Sequence, residues 1–229
     1  MFLKRNYQPE IMDNFSIQDE RIDDALKELK IINRYLGGIS VSKTGLKKSL
    51  KQISAKQNLK ILDVGSGASD VLLTLAKDNC NVKIFCIDKN KRACNYARDS
   101  IPGLKIACGD AFTFPFRKKE FNIIHASLLL HHFTEEEIKR LLVEFIESAS
   151  HALIINDLRR SVFALAGIKL LTSMFSKSDF VKNDGPLSVK RGFIKSELIE
   201  ILNAIPTSNF EIIRKWAFRW LIIIYVNKN

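Results

Sequence analysis

An apolar run that ends in an acid and turns on two glycines, ILDVGSGASD over residues 61–70, restricts this chain more than any other stretch. It reads as a buried strand, a Gly-x-Gly turn and the start of a helix. The glycines let the backbone turn tightly and approach a ligand with no Cβ in the way. A dinucleotide fingerprint asks for a further glycine at position 70, and this chain has Asp70 there. A carboxylate at that point competes with a pyrophosphate for the free N–H groups of the helix start. NAD and FAD are therefore disfavoured, and Asp70 reads as a helix cap. No Gly-Lys-Ser/Thr follows, which excludes a P-loop.

Downstream the pattern repeats. NVKIFCID (81–88), LKIAC (104–108), FNIIHAS (121–127) and HALIIND (151–157) read as strands. Helices are expected over DVLLTLAKD (70–78), KRACNYARDS (91–100), EEEIKRLLVEFIES and the residues after Ser161. Thr134 and Glu137 form a T-x-x-E capping box ahead of the third of these. Strands alternating with helices predict a parallel, doubly wound sheet. The ending departs from that rule: after a helix at KSELIEIL, NFEIIRKWAFRWLIIIYVN reads as two strands joined around Lys215 to Phe218, an antiparallel hairpin.

Ahead of the first strand, residues 19–36 place Ile22, Ala25, Leu26, Leu29, Ile32 and Leu36 on one helical face, ended by Gly37 and Gly38. A Lys-rich helix is expected over 42–54. The chain divides as one domain: a helical cap (1–56), a ligand-binding core (57–160), an insertion opening on the apolar helix SVFALAGIKLLTSMF (161–195), and a closing helix and hairpin (196–229).

The length of 229 residues and 46% hydrophobic content suit one packed domain. The net charge is 36 − 25 = +11, but the lysines are scattered and no basic block stands out. Cys80, Cys86, Cys94 and Cys108 show neither C-x-x-C spacing nor His pairing, so free thiols in a reducing compartment are expected and no metal site. The start, MFLKRNYQPE, lacks an apolar core of a signal peptide, and the expected location is cytoplasmic.

Acids close the first three strands: Asp63, Asp88 and Asp110. One such Asp is ordinary turn chemistry; three in register with a Gly-x-Gly turn form a row along one sheet edge. They suit a ligand without phosphate and with a positive centre, such as S-adenosylmethionine. Asp88 is placed to accept from ribose hydroxyls and Asp110 from an adenine amino group.

On these residues the chain resembles class I S-adenosylmethionine-dependent methyltransferases, from about residue 59 onward. The resemblance implies a Rossmann-like, seven-stranded, mostly parallel sheet with an antiparallel C-terminal hairpin. It also implies that Asp63, Gly65 and Gly67 line the methionine and ribose, with Asp88 at the ribose, Asp110 and Ala111 at the adenine, Ser127 at the methionine part, and Ser66 and Lys89 among the cofactor-binding residues. Two departures stand out: Ser69 replaces a common third glycine, and Asn122 replaces a common Asp. Ser69 is expected to turn its hydroxyl toward the ligand carboxylate. PEIMD (9–13), INRYLGG (32–38), LLLHHF (128–133), NDLRRS (156–161) and DGPLSVKRGF (184–193) resemble a bacterial subgroup associated with type III polyketide synthases, whose substrates are phenolic or polyketide small molecules.

For the methyl acceptor, His131 and His132 follow the fourth strand and are the candidate general bases, with helix capping or loop packing as the other role for such a position. His125 is expected to pack in the sheet. Asp157, Arg159 and Arg191 are candidate substrate contacts, the arginines as planar anion forks or as surface ion pairs. The expected activity is methylation of a small molecule, at a hydroxyl. An RNA or protein methyltransferase is the alternative, weakened by the lack of a clustered basic strip or N-P-P-Y motif. A non-catalytic binding protein is a third. Weak contact with a membrane surface is a further expectation from the apolar insertion.

Overall fold

A computed structural model describes residues 4–51, 53, 58–72, 81–113, 115–206 and 209–226. Its strands are β1 (Leu59–Val64), β2 (Val82–Asp88), β3 (Ile106–Cys108), β4 (Phe121–Ser127), β5 (Ala149–Leu158), β6 (Phe210–Lys215) and β7 (Arg219–Tyr225). They form one seven-stranded sheet in the order β3-β2-β1-β4-β5-β7-β6. Strands β1 to β5 run parallel, and β7 lies antiparallel to both β5 and β6. Strand order reverses between β1 and β4, the place where open α/β sheets bind ligands.

The apolar runs of the central strands are explained by cover on both faces. On one face Ile61, Ile123, Ile154, Leu221 and Ile223 pack against Val41 and Leu46 of α2 (Gly38–Leu50). On the other, Leu62, Ile124, Ile155 and Ile222 meet Leu141 and Phe145 of α4 (Glu135–Ser148) and Leu198 and Leu202 of α7 (Lys195–Asn203). Thr134 Oγ1 and Glu137 close the expected capping box at the start of α4. A third cluster joins α1 (Glu20–Tyr35), α3 (Lys91–Ser100) and α6 (Asp179–Arg191) through Ile22, Ala25, Leu26, Ala93 and Phe180, beside Ala68 of the glycine turn.

Several boundaries differ from the sequence reading. Gly38 does not end α1 but begins α2, because Gly37 turns the chain at φ +85°. A Cβ on Gly37 would lie 3.0 Å from the Trp216 carbonyl oxygen, so the turn also needs a bare backbone there. Helix α2 accordingly runs over 38–50 rather than 42–54. Strand β3 is shorter than expected and β5 longer. The helix over 70–78 is described only at its start, Asp70 to Leu72, and the remainder, like Cys80, lies outside the described residues.

The insertion folds as α5 (Val162–Phe175) and α6, which pack on each other. Helix α6 also contacts α1 and two short 3₁₀ turns, Ile11–Asp13 and Leu130–His132. Asp184 of α6 accepts from the N–H groups of Ile11 and Met12 at 2.8 and 3.0 Å. The N-terminal segment and the insertion thus roof the edge where the parallel strands end.

Candidate active site

Three residues of the turn after β1 adopt left-handed backbone: Gly65 (φ 65°), Gly67 (φ 51°) and Ser69 (φ 57°). A Cβ on Gly65 would sit 2.6 Å from Leu129 Cδ1, so that position has no room for a side chain. Ser69 holds the conformation a third glycine would take, at the steric cost of a Cβ. Its hydroxyl is buried and donates to Ser66 Oγ at 3.1 Å, so it does not face the cavity as the sequence suggested. Asp70 is the first helical residue rather than the residue before the helix, and burial raises its carboxyl above the ordinary range.

The three strand-end acids differ in environment. Asp63 is buried, and its Oδ1 lies 2.7 Å from His125 Nδ1. His125 Nε2 in turn lies 2.8 Å from Ser42 Oγ of α2, which places His125 in the sheet as expected. Asp88 accepts from Gly67 N–H and Asn90 N–H, both at 2.8 Å, and so fixes the glycine turn to the end of β2. Burial raises its carboxyl, and those two N–H groups only partly offset this. Asp110 accepts from Phe112 N–H at 3.0 Å and pairs with Lys89 Nζ at 2.8 Å. Burial would raise this carboxyl, but Lys89 and the Phe112 N–H outweigh it and hold it low.

Asp63, Gly65, Ser66, Gly67, Asp88, Lys89, Asp110, Ala111 and Ser127 all line one cavity of about 660 Å³. His131, His132 and Arg191 line the same cavity, and α1 closes it with Leu26, Leu29, Lys30 and Asn33. Ser127 Oγ is buried there with no hydrogen-bond partner among the described residues.

Other candidates are placed differently. Asp157 and Arg159 do not line the cavity. Asp157 is fully buried: Oδ1 faces His131 Nδ1 at 2.7 Å, and Oδ2 accepts from Leu130 N–H at 2.8 Å. It braces the turn after β4 instead of meeting a substrate. Arg159 lies over the Phe218 ring at 5.0 Å, toward the β6–β7 turn. Arg191 reaches the cavity wall, but its guanidinium already donates to the carbonyls of Gln8, His131 and His132 and to Asp13 Oδ2, the last at 2.6 Å. A buried fork so occupied is a clamp between the N-terminal segment and the 130–132 turn.

His131 is 2% exposed and stands between Asp157 and Glu10. Burial alone would lower its pKa; the charge and hydrogen bond of Asp157, with Glu10 behind them, raise it to about 9. A ring protonated at neutral pH has no lone pair with which to take a proton, so His131 suits an anchor better than a base. His132 Nδ1 lies 2.6 Å from Asp13 Oδ1, nearer the cavity rim.

Glu10 is the residue the sequence reading missed. It is 7% exposed and lines the cavity, 3.6 Å from His131 Nε2 and 3.7 Å from Arg191 Nη1. Those are ion-pair distances, too long for hydrogen bonds, and Oε1 has no hydrogen-bond partner among the described residues. Burial pushes its carboxyl up, but the two histidines outweigh this and keep it ionised. The only signal in the sequence was the motif PEIMD, which carried a resemblance without a role. Glu10, His131 and His132 bring one donor atom each within 4.8 Å of one another. Charged His131 and the Arg191 guanidinium already serve as cations there, and a metal ion would have to compete with both.

The family described as "Methyltransferase domain" matches residues 61–150. A demethylmenaquinone methyltransferase of Chlorobaculum parvum is 27% identical over 157 residues, which are 63% of this chain and 64% of that protein. The match therefore spans less than two thirds of that relative's length. Among solved structures, a plantazolicin methyltransferase in complex with a triazolic desmethylPZN analogue and S-adenosylhomocysteine superposes with a TM-score of 0.72 at 17% identity, over 93% of each chain. A methyltransferase from Aquifex aeolicus gives 0.58 at 17% identity, over 79% of this chain and 89% of that one. Residues 61–150 thus resemble a methyltransferase domain, and the chain shares the fold of these solved methyltransferases.

Proposed function

We propose that this chain uses S-adenosylmethionine to methylate a hydroxyl of a small phenolic, polyketide or lipid-like acceptor, leaving S-adenosylhomocysteine. One observation carries the reading: a single cavity is lined both by the glycine turn with the strand-end acids and by Glu10, His131 and His132. The relatives named for demethylmenaquinone and plantazolicin support a small-molecule acceptor.

The residues fit the donor. Gly65 and Gly67 present bare backbone to the cavity. Asp88 keeps lone pairs for ribose hydroxyls beyond the two N–H groups it already holds. Unpartnered Ser127 Oγ suits the methionine part. When bound, the donor supplies an electrophilic methyl on a cationic sulfur, which leaves as a neutral thioether as the acceptor oxygen bonds the carbon.

The chain's own residues supply alignment and a proton acceptor. Protonated His131 offers Nε2–H to the acceptor oxygen, and Asp157 fixes the ring by holding Nδ1. Ionised Glu10, whose Oε1 is held by ion pairs but by no hydrogen bond, takes the acceptor proton. Residues of α1 and α6 wall the cavity beside these groups. The acceptor class in this reading is a phenol of the kind made by a type III polyketide synthase, its hydroxyl directed to the polar cluster.

Calorimetry with S-adenosylhomocysteine and a radiolabelled methyl-transfer screen over alkylphenols, quinones, fatty acids and total RNA test the reading. Binding of the homocysteine product and labelling of a hydroxylated small molecule are expected. No binding, or label in RNA alone, overturns it.

A further inference from the structure

A second cavity of about 310 Å³ adjoins the first. Ile32, Ala164, Ile168, Leu171 and Phe218 give it an apolar lining. Glu10, Met12, Leu29 and Leu128 line both cavities, so the second opens onto the polar junction where the acceptor hydroxyl is placed.

The outer side of this cavity is unusually apolar. On α5, Phe163, Leu170 and Met174 are 78, 60 and 64% exposed, and their spacing puts them in one stripe. The opposite side of α5 packs inward, with Ile168 and Thr172 against Gly185 of α6. Trp216, at the β6–β7 turn, is 75% exposed and also lines the second cavity, as does half-exposed Leu171. Scattered surface apolar residues are ordinary, but a contiguous row beside a cavity mouth marks a contact surface.

Charge identifies the partner. Helix α5 carries no acid and one base, Lys169; Lys177 follows it, and Lys215 precedes Trp216. Aromatic and aliphatic side chains flanked by lysines suit the interface of an anionic bilayer. A second copy of the chain would instead bring the same lysines against one another across a two-fold axis.

We propose that the face made by α5 and the β6–β7 turn rests on an anionic membrane surface and passes the apolar chain of a membrane-borne acceptor into the second cavity. The chemistry at the far end of that chain rests on the methyl-transfer reading above. No covalent step is added.

The test uses the full chain with vesicles of phosphatidylglycerol and phosphatidylcholine, against phosphatidylcholine alone. Wild type is expected to float with the anionic vesicles. The exposed triple variant Phe163→Ser, Leu170→Ser, Met174→Ser is expected to lose roughly tenfold or more in partitioning. Gly167 lines the second cavity and has nothing within 4 Å of a built Cβ, so the first side-chain carbon of Gly167→Leu meets no neighbour and the variant narrows the cavity. That variant should keep vesicle binding but weaken nonylphenol, read by tryptophan fluorescence, by about tenfold. Wild type that ignores anionic vesicles, a triple variant that binds them equally, or a Gly167→Leu variant with unchanged nonylphenol affinity overturns the proposal. So does a wild-type dimer by light scattering that the triple variant dissociates, since the face is then a subunit interface. Calorimetry with S-adenosylhomocysteine on the same samples reads the methyl-transfer proposal separately: loss there overturns that reading and leaves the vesicle result standing.

Discussion

His131 Nδ1 and Asp157 Oδ1 lie 2.7 Å apart, with both side chains shut off from solvent. The end of β5 thereby fixes the turn that follows β4. The second oxygen of Asp157 holds the Leu130 N–H at 2.8 Å, so the carboxylate sets both the backbone of the turn and the ring it carries. The other ring nitrogen is aimed at Glu10, at 3.6 Å.

This pair makes stability depend on pH. The folded His131 titrates near 9, above its ordinary 6.5. A raised folded pKa means that the folded state binds the proton more tightly. The stabilisation is fully present below about 6.5 and is lost as pH rises through about 9, by up to roughly 3 kcal/mol. Urea unfolding across that window checks it. His131→Gln should flatten the dependence, and an equally steep curve in that variant would assign the effect elsewhere.

Glu10→Gln removes the proposed proton acceptor while keeping its size. Turnover of a hydroxyl acceptor should fall by roughly a hundredfold or more. Affinity for S-adenosylhomocysteine should not change, because Glu10 is not among the residues assigned to the donor. Unchanged kcat would remove Glu10 from the chemistry.

Asp88→Ala should weaken S-adenosylhomocysteine by roughly ten- to a hundredfold in calorimetry. The carboxylate holds the N–H groups of Gly67 and Asn90 as well as facing the cavity, so its loss frees the turn too. Asp110→Ala should have a smaller effect, because Asp110 is already tied to Lys89 and Phe112. Equal losses at the two positions would contradict this ranking.

Arg219 is 2% exposed and donates to Leu36 O, Asn156 Oδ1 and Asn33 Oδ1 at 2.6, 3.2 and 3.3 Å. Burial lowers its pKa to about 10, with Asp157 opposing the fall. Arg219→Met keeps the aliphatic stem but leaves those acceptors unpaired. Unfolding free energy should drop by about 2–4 kcal/mol; a loss below about 1 kcal/mol would show that the site collapses or hydrates without penalty.

The cavity wall built from the glycine turn and strand-end acids was legible because its signals are local. A strand, a tight turn and the acid at each strand end are written within a few residues, and a parallel sheet carries those ends to one edge whatever the loops do. The wall that holds Glu10 and His131 was not. Glu10 and His131 are far apart in sequence, and nothing near either residue marks the other. The histidines read as bases because an isolated imidazole titrates near neutrality. Two buried carboxylates reverse that for His131, and only the fold brings them there. Arg191 read as a substrate fork for the same reason: a sequence does not show that four acceptors are already waiting.

By itself, then, the sequence determined the alternation of strands and helices, the antiparallel closing hairpin and the glycine turn with its row of acids. Hydrophobic period, glycine and chain-end chemistry act over a few residues and need no distant partner. Tertiary structure alone decided which charged groups stay free. Burial raises the stakes of every ionisable side chain, and whether Asp157 braces, Arg191 clamps or Glu10 Oε1 keeps ion pairs without a hydrogen bond depends on neighbours brought in from across the chain.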